Sequence, residues 1–111
     1  MDKLTNYRQV IEKILTEYAA IPYHYGDLKA ELIISKDENR YLVITSGWED
    51  EARVHACIIH LDIIDDKIWI QSDSTEDGIA LDLLAAGIPK ENIVLGFHQP
   101  KIRQYTGFAV A

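Results

Sequence analysis

Cysteine is almost missing from this chain. Cys57 stands alone among 111 residues, so no disulfide can form within it. That suits a reducing compartment. Long hydrophobic runs are missing as well. The longest fall far short of the ~20 residues that a membrane helix needs. The N-terminal stretch MDKLTNYRQV lacks the apolar centre of a secretory signal. These absences together predict a soluble, cytoplasmic protein. Positive charge is scarce: 11 Lys and Arg against 18 Asp and Glu leave a net charge of −7. The basic residues are scattered, and the nearest thing to a patch is the pair Lys101 and Arg103. A phosphate-gripping surface needs clustered cations, so direct nucleic-acid binding is not expected. The acidic balance suits solubility or a basic protein partner. There is no glycine-rich phosphate loop, no dinucleotide fingerprint, no internal repeat and no low-complexity segment.

What is present is an ordinary globular composition, 48% hydrophobic and 26% charged, at a length that suits one domain. Its centre is Arg53–Asp73, RVHACIIHLDIIDDKIWIQSD, two strand-like runs hinged at Asp65-Asp66. A two-residue turn there sets Ile63 opposite Ile68 and Leu61 opposite Ile70. Strand side chains alternate between faces. One face then carries Cys57, Ile59, Leu61, Ile63, Ile68 and Ile70 and is read as core-facing. The other carries Ala56, Ile58, His60, Asp62, Ile64, Trp69 and Gln71, and is read as partly wet or covered by another segment. The turn is unusual, because both central positions want φ > 0 and the second is Asp66 rather than glycine.

Before this hairpin, residues near 3–20 read as an amphipathic helix with a stripe of Leu4, Tyr7, Ile11, Ile14 and Tyr18, widened by Val10 and Leu15. Two heptads are too few for a coiled coil, so the helix is expected to lie on a sheet. Pro22 ends it. The connector Pro22–Asp27 carries Tyr23 and Tyr25, read as covering the helix end. A second hairpin follows, Leu28–Ser35 and Arg40–Gly47, with Leu28, Ala30, Leu32 and Ile34 sharing a face. Glu49, Asp50 and Glu51 read as a solvated acidic loop.

After the central hairpin, Ser74 or Thr75 is expected to cap a helix running to about Ala86, stopped by Gly87 and Pro89. Ile93–Gly96 suggests a short edge strand. Phe97–Ala111 has no clean period, yet Phe97, Ile102, Tyr105, Phe108 and Val110 make it too apolar for a frayed tail. It is expected to dock, on its own domain or on another subunit. The tail and the helix stripe together suggest a two-fold homodimer.

Candidate chemistry is thin. His60-x-Asp62 sets an imidazole and a carboxylate on one strand face, but His24, His55 and His98 are dispersed, and His55 falls on the opposite face in this register. A metal site needs three or four ligands, so the pair is read as structural. Cys57, on the core face, is read as a small hydrophobe. No nucleophile, base and orienter come together in the sequence, and no enzyme, metal or cofactor is expected.

The run His60–Ile64, then Lys67–Gln71, Asp73, Thr75-Glu76, Gly78–Ala80, Gly87–Lys90, Ile93–His98 and Arg103–Val110 closely resembles the XisI family. These are cyanobacterial proteins named as controlling factors for excision of the fdxN DNA element. The resemblance covers nearly the whole chain, including Gly47-Trp48. Relatives often carry Asp-Gly or Asn-Gly at the hairpin turn where this chain has Asp65-Asp66. The resemblance implies a non-enzymatic role in programmed excision during heterocyst differentiation, beside a recombinase and the nuclease-like companion XisH. The alternative is an antitoxin-like role, in which this acidic chain masks a XisH-type protein. Candidate partner-binding residues are Trp69, Gln71, His98, Arg103, Gln104 and Tyr105. The expected architecture is α+β: a mostly antiparallel meander of four to five strands, with the N-terminal helix and the helix after the fourth strand packed against it.

Overall fold

The computed structural model describes residues 2–22 and 27–111. The chain begins with α1 (Lys3–Ala19), then forms β1 (Asp27–Ile34), β2 (Arg40–Glu49), β3 (Ala52–Ile64) and β4 (Lys67–Asp73). It continues through α2 (Ile79–Ala85), a 3₁₀ turn at Lys90–Asn92, β5 (Ile93–Leu95) and a short α3 (Pro100–Arg103). The five strands form one sheet in the order β1-β2-β3-β4-β5. The first four are antiparallel neighbours, and β5 joins β4 in parallel after α2 carries the chain back. The expected α+β architecture is thus present, and the parallel fifth strand makes the sheet more than a plain meander. The tyrosines proposed to cover the end of α1 lie outside the described residues, as does His24.

The N-cap of α1 is Asp2, whose carboxylate accepts from the Thr5 backbone N–H and from its hydroxyl, both at 2.9 Å. The helix lays its stripe on one sheet face. Tyr7, Ile11 and Leu15 are buried there, with Leu4, Val10, Ile14 and Tyr18 around them. Opposite them the sheet contributes Tyr41, Val43, Ile59, Leu61, Ile63, Ile68 and Ile70, and α2 adds Ile79 and Leu83. The centre of the α1 stripe is therefore buried inside its own fold, while Leu4, Val10, Ile14 and Tyr18 at its margins are half-buried. Among the described residues, no helix is long and apolar enough to cross a membrane.

The β3–β4 register is the one expected, with Ile63 opposite Ile68 and Leu61 opposite Ile70. One face assignment fails. The β2–β3 ladder slips between Val43 and Ile44: Val43 faces Ile59, but Ile44 faces Cys57, so Ile58 is one residue too many. The extra residue reverses which face each earlier β3 side chain takes. Cys57 becomes exposed rather than core-facing, and Ile58 packs against the core instead. Ala56 comes opposite buried Thr45, and His55, opposite Ser46, joins the face of His60.

The start of α2 is a second correction. Neither Ser74 nor Thr75 caps it. Gly78 holds the N-cap position without a side-chain bond, and Asp73 reaches over the loop instead. Asp73 Oδ2 accepts from the Ile79 N–H at 2.6 Å, while Oδ1 accepts from the N–H and hydroxyl of Thr75. The end of α2 follows expectation. Gly87 adopts φ 94° and donates to the Leu84 carbonyl, and Ile88 donates to the Leu83 carbonyl, closing a Schellman motif.

Asp65 and Asp66 take φ of 50° and 65°, a left-handed pair that costs a non-glycine residue free energy. Asp66→Gly is expected to stabilise the fold by about 0.5–1 kcal/mol, read as a raised urea midpoint at unchanged slope. Tyr41 is buried, and burial raises its phenol from 10.0 to about 12. The folded state therefore favours the neutral phenol. Its contribution is fully present below pH 10 and is lost as pH climbs towards 12. Tyr41→Phe should flatten that alkaline loss in a comparison of unfolding curves across this window.

Candidate partner-binding site

The second face of the sheet, away from α1, carries the residues singled out from the sequence. Two clusters organise it, one on Asp62 and one on Trp69.

Asp62 is 6% exposed and accepts from three directions. His60 Nε2 donates to Oδ1 at 2.8 Å, Arg40 Nε to the same oxygen at 3.1 Å, and Gln71 Nε2 to Oδ2 at 3.3 Å. The positions follow from register. Arg40 sits directly across the β2–β3 ladder from Asp62, and His60 lies two residues along the same strand. Gln71 is the surplus residue of a second irregularity, where His60 faces Ser72 but Leu61 faces Ile70. The His60–Asp62 pair thus serves to solvate a carboxylate. Among the described residues, no group of three or more His, Cys, Asp or Glu side chains is placed to hold a metal ion. Arg40 was not among the sequence candidates, since it lies far from Asp62 along the chain. The hairpin register was the signal that could have found it.

Trp69, on β4, is the floor of the second cluster. The Arg103 guanidinium lies 5.1 Å from its ring centroid, a cation–π contact. The same guanidinium is held by two carbonyls: Nε donates to His98 O at 3.0 Å and Nη2 to Gly96 O at 3.4 Å. At Gly96 the chain passes close over Trp69 and Gln71. A Cβ there would meet Gln71 Oε1 at 2.8 Å and the Trp69 ring at 3.2 Å, so only glycine fits without displacing them. Trp69 Nε1 is buried and has no hydrogen-bond partner among the described residues.

The tail beyond Gly96 docks on its own sheet, as one of the two expected alternatives had it. Ala109 donates to Ile93 O at 2.9 Å and bridges to Val94, and Phe108 packs against the core. The same segment nonetheless leaves Phe97, Ile102, Tyr105 and Val110 exposed, with Tyr105 at 80%. Of the six candidates, Trp69, Gln71, His98 and Arg103 are brought together around Gly96. Gln104 is exposed and donates to Lys101 O at 3.2 Å, and Tyr105 projects from the end of α3. Phe97, its ring tilted 45° to that of His98 with centroids 4.6 Å apart, and Ile102 are exposed on the same tail segment; the sequence marked both as docking residues of the tail but did not place them among the six candidates.

Magnitudes separate the two clusters. Arg40 is largely exposed, so its ion pair is worth at most about 1 kcal/mol. Removing the buried carboxylate strands several donors at once. Asp62→Ala is expected to cost about 2–3 kcal/mol and His60→Ala under about 1 kcal/mol in urea unfolding. Arg103→Ala is expected to cost about 1–2 kcal/mol and to change Trp69 fluorescence, whereas Gln104→Ala leaves both unchanged.

No curated protein matches the chain. Two crystal structures from Anabaena variabilis do. One, named the fdxN element excision controlling factor XisI, is 40% identical with a TM-score of 0.84, the match covering 99% of this chain and 100% of that one. The other, named a XisI-like protein, is 39% identical with a TM-score of 0.89, covering 97% and 99%. The first is named for control of excision, and neither is named for an enzymatic activity. The family model described as XisI protein matches residues 1–110, and the chain belongs to the XisI family.

Proposed function

We propose that this protein is a non-enzymatic controlling factor for excision of a DNA element, of the fdxN type, acting through a protein partner during cyanobacterial heterocyst differentiation. The family membership supplies the role. The observation that carries the mode of action is the tail surface. Phe97, Ile102, Tyr105 and Val110 are exposed on a segment that is anchored through Arg103 and Trp69. A free tail would lose this ordering entropy on binding, and an anchored one has already lost it. Exposed aromatics beside Lys101 and Arg103, on a chain of net charge −7, make a local surface of a kind that protein interfaces favour. Clustered cations for a phosphate backbone are missing from it.

The partner of choice is a XisH-type protein, and a recombinase complex is the wider setting. An antitoxin-like neutraliser of that same protein is the second reading. It is favoured by the acidic balance and by the exposed run Glu49, Asp50 and Glu51. A nuclease assay of the XisH-type protein with and without this chain separates the two. Cleavage that this chain suppresses supports the neutraliser, and unchanged cleavage supports the controlling factor.

Binding through the tail predicts that this chain co-purifies with the XisH-type protein and that Tyr105→Ala weakens the complex about tenfold or more, without loss of folding. Isothermal titration reads this directly. A complex of unchanged affinity in Tyr105→Ala and Phe97→Ala would remove the tail from the interface.

A further inference from the structure

We infer that two copies of this chain join along the free edge of β1, making one continuous ten-stranded sheet about a two-fold axis at Ala30. The observation is the sequence of the edge strand itself. β1 is the end strand of the sheet, and among the described residues no strand pairs with its outer edge. Its ladder to β2 is regular over eight pairs. The Ser35 N–H donates to Arg40 O, which fixes the alternation: odd-numbered residues turn their N–H and C=O towards β2. The backbone groups of Leu28, Ala30, Leu32 and Ile34 therefore point outward, with no strand among the described residues to pair them.

A two-fold axis perpendicular to the sheet keeps core face on core face, so only registers pairing residues of like parity are allowed. Centring the axis on Lys29 would set Lys29 against its own copy and Asp27 against Glu31. Centring it on Glu31 would set Glu31 against itself. Centring it on Ala30 sets Lys29 opposite the second copy's Glu31 twice over, and Leu28 opposite Leu32 twice over. In that register the outward groups of Leu28, Ala30 and Leu32 form the hydrogen-bonded pairs, about six bonds in all. Lys29 and Glu31 fall at the non-hydrogen-bonded pairs, where opposing side chains come closest. Both are exposed and take part in none of the ion pairs among the described residues. On the core face α1 packs against β1 and β2, so the two α1 helices flank the joined seam.

A charged residue on an edge strand also serves to keep edges apart, and Lys is the usual choice. The two roles give opposite results in sedimentation velocity at tens of micromolar. Joining predicts a species of twice the 12.6 kDa chain mass. It predicts that Lys29→Glu and Glu31→Lys each raise the dissociation constant roughly ten- to a hundredfold. The double swap, Lys29→Glu with Glu31→Lys, restores the dimer because each pair is rebuilt with its signs exchanged. Amide exchange gives a readout free of mutation: the N–H groups of Ala30 and Leu32 are protected in the wild-type chain. A monomeric wild type, a dimer that ignores both single changes, a double swap that stays monomeric, or fast exchange at Ala30 would each overturn the assignment.

Discussion

The structure depends on the seam between α1 and one face of the sheet. Ile11 and Leu15 are fully buried there, as are Val43, Ile59 and Leu61 opposite them. A fully buried aliphatic side chain contributes roughly 1.5–3 kcal/mol, so this handful of contacts rivals the net stability of a domain this size. Everything else is arranged by it. The face pointing into the seam must be apolar on every strand, and the opposite face is released for polar networks. Asp62 and Trp69 both stand on that released face.

That constraint also explains what the bulge at Ile58 achieves. The first part of β3 pairs with β2 out of phase with the second. Without the extra residue Cys57 would enter the seam and Ile58 would leave it. With it, Ile58 reaches the core while His55, Cys57, His60 and Asp62 share the outer face. A thiol and the His55 imidazole are thereby kept out of the apolar layer.

Much of this was legible in the chain. Alternation and the two-residue turn were enough to pair Ile63 with Ile68, because hairpin register is set locally. The stripe of α1 and the Gly87 stop were legible for the same reason. The bulge was not, since one surplus residue in RVHACIIHL leaves no mark on composition or period. The cap of α2 was misplaced because Ser74 and Thr75 lie at the position where caps usually sit, whereas Asp73 acts from further back across a loop. Nor did any periodicity join Arg103 to Trp69. Their contact depends on β5 entering the sheet in parallel, and only the resemblance to XisI proteins had drawn the two residues into one set.

The parallel entry of β5 has a bearing on how the molecule is assembled. β1 to β4 are joined by tight turns, so their pairing closes short loops. β5 must wait for the stretch from Asp73 to Ile93 to fold back, and the entropy of closing a loop grows with its length. It then rests on three residue pairs alone. The anchored tail, with Arg103 on Trp69 and Ala109 on Ile93, is built on this strand. The ordering of the tail surface is therefore coupled to completion of the sheet, and a half-made chain leaves Phe97, Ile102 and Tyr105 on an unanchored segment.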